Sequence, residues 1–235
     1  MFNVEIADVV IQIDNKYSQI EYLCKDYISN KTATMFITTT EEEIQEELKN
    51  ITESYEGIEA YYECIVIYRK ICYGMLNYDG FLLHSSVIQV DNKAYAFCAP
   101  SGTGTTTHTL LWTQVFKDKA TYVNGDKPIL RFIDNTLYAC GTPWKGKEGY
   151  GDNIKVPLQG IIFIQRSETN SIERLPTREI LGKLFRQLLI PKEDQSMSKF
   201  MELLDKTLKT VPCYLLKCNM DPEAAKVAYT GLMEG

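Results

Sequence analysis

The chain has 235 residues, 45% of them apolar and 24% charged, and a net charge of −6. These values are those of an ordinary water-soluble fold of one large domain or two small ones. They exclude a bulk electrostatic case for nucleic acid or an anionic membrane, and no apolar run approaches the ~20 residues of a membrane span.

The first residues, Met1 to Asp8, lack the basic stretch and long apolar run of a secretory signal. Seven cysteines are scattered along the chain (Cys24, Cys64, Cys72, Cys98, Cys140, Cys213, Cys218), with no C-x-x-C pair. Buried free thiols in a reducing cytoplasm are expected, not a zinc site.

Phe2 to Ile13 alternates for much of its length and reads as one strand, irregular near Ala7-Asp8. Tyr17 to Tyr27 is either a short helix or a loop. Thr32 to Thr38 is β-branched and aromatic, hence a strand. Thr40 with Glu43 forms a capping box for a helix reaching about Lys49. Glu56 to Leu76 has apolar residues at a spacing near 3.6, a long helix suited to packing on a sheet. Phe81 to Val90 and Ala94 to Cys98 read as strands joined by the turn Asp91-Asn92-Lys93.

Thr121 to Val123 is a short strand that ends at Asn124-Gly125-Asp126. Pro128–Phe132 and Thr136–Cys140 flank Asp134-Asn135 as a hairpin. Gly141 to Asn153 is Gly-rich, either an ordered functional loop or a mobile lid. Val156 to Gln165 is an apolar, buried strand. Helices are expected over Arg178–Leu189 and from Ser196 to about Leu208. Val211 to Cys218 is a last strand, and Asp221-Pro222-Glu223 opens a terminal helix. The organisation is an N-terminal α+β segment over residues 1–78, then a core over 79–235; the two are allowed a common hydrophobic core.

One stretch carries chemistry: Ala99-Pro-Ser-Gly-Thr-Gly-Thr-Thr-Thr-His108. It lies between an apolar strand and a helix, the context of a phosphate-binding loop whose backbone N–H groups face an anion. Gly102 and Gly104 permit backbone angles that a side chain forbids. Thr106 stands where such a loop places its Mg²⁺-binding hydroxyl. The fit to G-x-x-x-x-G-K-[ST] is incomplete, because Ala99 replaces the first Gly and Thr105 the Lys. Without further context the stretch also reads as a flexible Gly/Thr loop.

Further context comes from an ordered set of motifs: Leu83-His-Ser-Ser86, the loop, Asn124-Gly-Asp-Lys-Pro128, Gly141-Thr-Pro-Trp144 and Gly146-Lys-Glu-Gly149. Together they resemble the HPr kinase/phosphorylase-related P-loop kinases, and more closely their short bacterial relatives found beside peptide-modification genes. The resemblance covers about residues 80–190. It implies a mixed α/β fold, a β-rich P-loop core with flanking helices, similar in core to ATP-dependent phosphoenolpyruvate carboxykinase. It also implies ATP, or another nucleoside di- or triphosphate, with Mg²⁺.

By the same resemblance Ser101, Gly102, Thr103, Gly104, Thr105, Thr106 and Thr107 would bind the phosphates. Lys127, Lys145 and Lys147 are further candidates for phosphate contact, and Thr106 and Glu148 for the metal. Asp126 would take the proton of a hydroxyl acceptor or sit near the metal, and His84 would lie close to the transferring phosphate. Each has a plainer reading: His84 as a hydrogen-bonded core residue, Asp126 as a turn former, Lys145, Lys147 and Glu148 as a solvated loop. His108 and Trp144 read as packing residues.

The missing lysine matters because phosphoryl transfer is mostly positioning and charge stabilisation. Losing one such contact costs about 3 kcal/mol, or 10²-fold in rate, by analogy with an oxyanion donor. Thr105 therefore leaves three readings: a degenerate kinase, a spatial substitute among Lys127, Lys145 and Lys147, or a sporadic change in an active enzyme. The expected function is phosphoryl transfer to a Ser/Thr hydroxyl of a peptide, protein or small molecule. The alternative is a nucleotide-binding pseudokinase that acts as scaffold or sensor. No nucleic-acid or membrane partner is expected; the ring assemblies of larger relatives admit a homo-oligomer.

Overall fold

The computed structural model describes residues 1–49, 51–52, 55–100 and 102–234. The chain opens with a hairpin, β1 (Phe2–Ile6) and β2 (Val9–Asp14), paired from Phe2↔Ile13 to Ile6↔Val9. Ala7 and Asp8 turn it with φ of 50° and 58°. The single irregular strand expected over 2–13 is thus two strands. Positive φ at both turn residues suits the right-handed strand twist, and an alanine seldom advertises it.

The stretch 17–27 is helical: α1 (Gln19–Leu23) runs into a 3-10 turn, Lys25–Tyr27. β3 (Met35–Thr38) then lies parallel to β2. α2 (Glu41–Leu48) begins with the expected capping box: Glu43 N donates to Thr40 Oγ1 at 3.3 Å and Thr40 N to Glu43 Oε2 at 2.9 Å. α3 (Ile58–Met75) buries Cys64, Ile67, Ile71 and Met75 against Val4, Ile11 and Ile13 of the small sheet. Ile129 and Cys140 join that cluster, so the N-terminal segment also packs on the following part of the chain.

β4 (Gly80–Leu82) and β5 (Ser86–Val90) come next. The run Phe81–Val90, expected as one strand, is broken at Leu83-His84-Ser85, because its two halves take different partners. After β6 (Lys93–Cys98) come α4 (Thr105–Phe116), β7 (Ala120–Asn124), β8 (Ile129–Ile133) and β9 (Thr136–Cys140). Asp91-Asn92 and Asp134-Asn135 both have positive φ at the two hairpin tips.

β10 (Lys155–Arg166) and β11 (Ser171–Arg174) lead to α5 (Thr177–Leu184) and α6 (Asp194–Thr210), then β12 (Cys213–Cys218) and α7 (Glu223–Glu234). The helix expected to Leu189 stops earlier. A 3-10 turn covers Phe185–Gln187, and Leu188 is extended, bridging Leu83. His84 N donates to Gln187 O at 2.8 Å, so backbone pairing wins over continued helix.

Among the described residues the larger sheet runs β4-β8-β9-β10-β6-β5-β7, with β12 and β11 added beside β10. β10 is parallel to both β6 and β12 and antiparallel to β9. Its two faces are both covered, which explains the unbroken apolar runs. Ala96, Cys98, Ile161, Phe163 and Leu215 face a core with Leu184, Phe200 and Leu204 of α5 and α6. Tyr95, Phe97, Ile162, Ile164 and Leu216 face Trp112 of α4 and Ala224, Ala225 and Ala228 of α7. All seven cysteines are free and buried. Among the described residues no helix is long and apolar enough to cross a membrane.

Candidate functional site

The turn between β6 and α4 begins where Cys98 leaves the sheet. Thr103 N donates to Pro100 O at 3.1 Å, and Gly102 and Gly104 take φ of 77° and 117°. A Cβ at Gly102 would meet nothing within 4 Å. Glycine is needed there for its backbone angle, not for room. Ser101 lies outside the described residues. Gly104 occupies the helix N-cap and offers no side-chain acceptor. Among the described residues no side chain accepts from the first-turn N–H groups of Thr105, Thr106 and Thr107, which stand at the positive end of the α4 dipole.

The first turn of α4 is tied down from below. Thr109 Oγ1 lies 3.1 Å from the carbonyls of Thr105 and Thr106, and Tyr122 OH and Ser86 Oγ each meet Thr109 Oγ1 at 3.1 Å. His108 packs, as expected. Trp112 Nε1 donates to its Nε2 at 3.0 Å, and its Nδ1 lies 3.8 Å from Cys218 Sγ. Burial lowers the pKa of His108 to about 4.

Asp126 is built by the turn after β7. Asn124 Oδ1 accepts from Asp126 N at 2.9 Å and Lys127 N at 2.7 Å, while Asn124 Nδ2 donates to Thr142 O and Oγ1 at 3.1 Å. Ser85 N donates to Asp126 O at 3.1 Å. Asp126 Oδ1 meets His84 Nε2 at 2.8 Å, and Oδ2 takes the Lys127 ammonium. Burial raises the Asp126 pKa, but the hydrogen bonds from His84 and Lys127, and their charges, outweigh it and leave the pKa lowered. An ionised carboxylate only accepts, so His84 Nε2 carries the proton of their contact.

Residues 141–151 are packed down over this turn. Gly151 bridges Asn124, and Gly125 N donates to Tyr150 O at 2.8 Å. Trp144 stacks on Tyr68 with ring centroids 4.0 Å apart, and Tyr150 on Tyr122 at 4.8 Å. A Cβ on Gly146 would sit 3.0 Å from the Asp126 Cβ, so the loop touches the acidic residue directly. Lys145 leans over the Tyr27 ring, 5.9 Å from its centroid. Lys147 and Glu148 are exposed in the turn closed by Gly149 N to Gly146 O at 3.3 Å.

Topology gathers these parts at one sheet end. Val87 pairs with Asn124 and Ser86 with Phe97. His84, Asp126 and the turn after Cys98 therefore leave neighbouring strands at the same edge. It is the carboxyl edge of parallel β6 and β10, where open α/β sheets bind ligands. The Arg166 guanidinium also reaches this edge. Its Nε donates to Thr103 O at 3.0 Å and its Nη2 to Gly102 O. Sequence reasoning missed Arg166, Tyr122 and Tyr150, and gave Ser86 only as part of the Leu83-His-Ser-Ser86 motif, without a role. Only the position of Arg166, ending an apolar strand, offered a signal. Among the described residues no three His, Cys, Asp or Glu side chains cluster as a metal site.

No family model matches the chain, and no curated protein matches it. Among solved structures it is similar to the Hpr(Ser) kinase/phosphatase from Coxiella burnetii, at 13% identity and a TM-score of 0.40, over 66% of this chain and 99% of that one. This is a weak resemblance at low identity.

Proposed function

We propose that the chain is a nucleotide-dependent phosphotransferase acting on a Ser/Thr hydroxyl of a peptide, protein or small molecule. The observation that carries this reading is the His84–Asp126 pair, 2.8 Å apart, at the sheet end that also bears the Gly102–Thr107 turn. The donor set suits a di- or triphosphate. The N-cap glycine supplies no side-chain acceptor to the first-turn amides, and Thr105 and Thr106 are half-buried beside them. Gly102, Gly104 and the N–H groups through Thr107 would hold ATP by its phosphates, with Lys127 and Lys147 as candidate cations. Thr106 and Glu148 would hold Mg²⁺, which keeps phosphate oxygens and water as its remaining ligands. When bound, the metal would offset charge on the transferring group.

The roles of this chain's own groups follow from their contacts. Asp126, ionised and fixed by Asn124 through its backbone, would orient an incoming hydroxyl and accept its proton. His84 would hold Asp126 Oδ1 and so aim Oδ2. Lys127 guards the same carboxylate and neutralises it until an acceptor displaces it. A lowered pKa makes Asp126 a modest base, which suits a loose transition state that asks little proton removal before transfer.

Thr105 favours a second reading, a nucleotide-binding pseudokinase without turnover. One comparison separates the two. Native protein and Thr105→Lys are incubated with labelled ATP, Mg²⁺ and Ser- or Thr-containing acceptors, and bound nucleotide and transferred phosphate are both measured. Transfer by the native chain supports the enzyme. Binding without transfer, with transfer gained by the lysine form, supports the pseudokinase. Absence of nucleotide and pyrophosphate binding in both forms ends both readings.

A further inference from the structure

We infer that Arg166 is the positioning residue of the phosphate turn, the cation that presets it from outside in the absence of the loop lysine. The inference rests on the phosphate-site reading above and adds to it a residue that no motif contains.

Arg166 ends β10, and the register Phe163↔Cys98 brings the ends of β10 and β6 side by side. From there Nε donates to Thr103 O at 3.0 Å and Nη2 to Gly102 O. Two donors of one planar fork thus hold two successive peptide groups. In a trans peptide the C=O and the following N–H point in opposite directions. Holding the Thr103 carbonyl toward Arg166 therefore turns the Gly104 N–H away from it, to the opposite side of the turn. Gly104 N is the amide that leads into the first turn of α4, whose own N–H groups form the anion end of the helix. Gly102 and Gly104 have no side chains to fix their peptide planes, and both sit at positive φ. An external clamp is what such a turn lacks.

The same guanidinium carries a permanent charge. Among the described residues its contacts go to carbonyl oxygens, with no carboxylate among them, which leaves its charge to act on a polyanion held across the turn. A residue that only braced the backbone would not need that charge; a neutral glutamine amide could donate to one carbonyl as well.

The test uses the full chain and three variants, Arg166→Ala, Arg166→Gln and Arg166→Lys. Arg166 is exposed, and each variant is first matched to the native protein in thermal midpoint. Hydrogen exchange over residues 100–108 is measured without ligand. Affinity for inorganic pyrophosphate and for Mg-ADP is then measured over a range of salt. Arg166→Ala is expected to speed loop-amide exchange and to weaken pyrophosphate binding about tenfold or more, the size typical of groups that orient first ligands. Arg166→Gln is expected to recover part of the exchange protection but not the affinity. Arg166→Lys recovers part of the affinity and keeps the native salt slope, which Ala and Gln flatten.

Unchanged loop exchange in Arg166→Ala overturns the inference, as does pyrophosphate affinity and salt slope equal to native. If native protein binds neither pyrophosphate nor Mg-ADP, the phosphate-site reading fails and the inference fails with it. If native protein binds and the alanine variant binds equally, only Arg166 is dismissed.

Discussion

His84 Nε2 and Asp126 Oδ1 lie 2.8 Å apart across 42 residues of sequence. Their meeting depends on two backbone contacts made elsewhere. His84 N is held by Gln187 O, and Asp126 O accepts from Ser85 N. The break in the strand at residues 83–85 is thus what presents the histidine to the carboxylate.

Asp126→Asn removes the proposed general base while keeping the shape of the side chain. Phosphoryl transfer is expected to fall by about 10²–10⁴-fold, the usual worth of a positioned general base. Nucleotide affinity is expected to change by no more than about threefold, because the turn at Gly102–Thr107 is untouched. Steady-state kinetics with a separate binding titration check this. Equal loss in affinity and turnover would assign Asp126 to the nucleotide instead.

The pH dependence of stability carries a second signature. His108 has a folded pKa of about 4, lowered by burial from 6.5. Its unfolded form therefore binds a proton over a range where the folded form does not. Stability is lost as pH falls from about 6.5 and levels off below about 4, with a total on the order of 3 kcal/mol. Asp126 adds a loss at lower pH. Its folded pKa lies below the ordinary 3.8, so its contribution is present above that value and disappears as pH falls through the folded one. Urea midpoints of native protein and His108→Gln between pH 7 and 4 separate the two. The glutamine variant is expected to lose most of the slope in that window, whatever its baseline stability.

The parts of this fold that were legible in the sequence were written in local chemistry. Asp91-Asn92 and Asp134-Asn135 announce hairpins because Asn and Asp tolerate positive φ. Ala7-Asp8 makes the same kind of turn without saying so. Thr40 and Glu43 announce a helix start because both capping contacts lie within one turn. The end of α5 was hidden, since Phe185 to Leu189 keeps helical apolar spacing while Leu188 pairs with Leu83 far away. β11 was hidden for the opposite reason: Ser171–Arg174 is polar apart from Ile172 and is a strand only because β12 pairs with it. The Gly102–Thr107 turn, His84 and Asp126 were selected from motifs. Arg166 was not, because its partners are backbone carbonyls, which no residue pattern records.

Glu63 makes a structural prediction independent of the site. Its side chain is fully buried, and its two oxygens accept from Lys16 N at 2.7 Å, Tyr17 N at 3.0 Å and Thr39 Oγ1 at 2.8 Å. These contacts pin the turn before α1 to α3. Glu63→Ala leaves two part-buried N–H groups and a buried hydroxyl without their acceptor, and is expected to cost about 3 kcal/mol. Glu63→Gln keeps one acceptor oxygen and costs less. Denaturant unfolding checks the order of the two. A loss under ~1 kcal/mol in the alanine variant would mean that solvent reaches this turn freely.

Gly141 joins the fold to the site most sharply. A Cβ there would lie 1.8 Å from Asp152 O and 2.9 Å from Val123 O. Both neighbours are backbone, so no rotamer change relieves the overlap. The next residue, Thr142, donates from Oγ1 to Lys127 O at 2.8 Å and accepts from Asn124 Nδ2, the amide that shapes the Asp126 turn. Gly141→Ala therefore displaces the loop that covers this turn. It is expected to cost about 1–3 kcal/mol, as overpacking does, and to lower the thermal midpoint by about 2–10 °C. Transfer is expected to fall at least tenfold in the protein that remains folded, since small misplacements of reacting groups are costly. Gly182 in α5 is the control, because its Cβ position meets nothing within 4 Å. Gly182→Ala is expected to leave transfer unchanged and to raise stability by up to ~1 kcal/mol through helix propensity. If Gly141→Ala melts and transfers like the native chain, Asp126 owes its placement to Asn124 and Ser85 without the loop, which is then a cover with no mechanical part in the site.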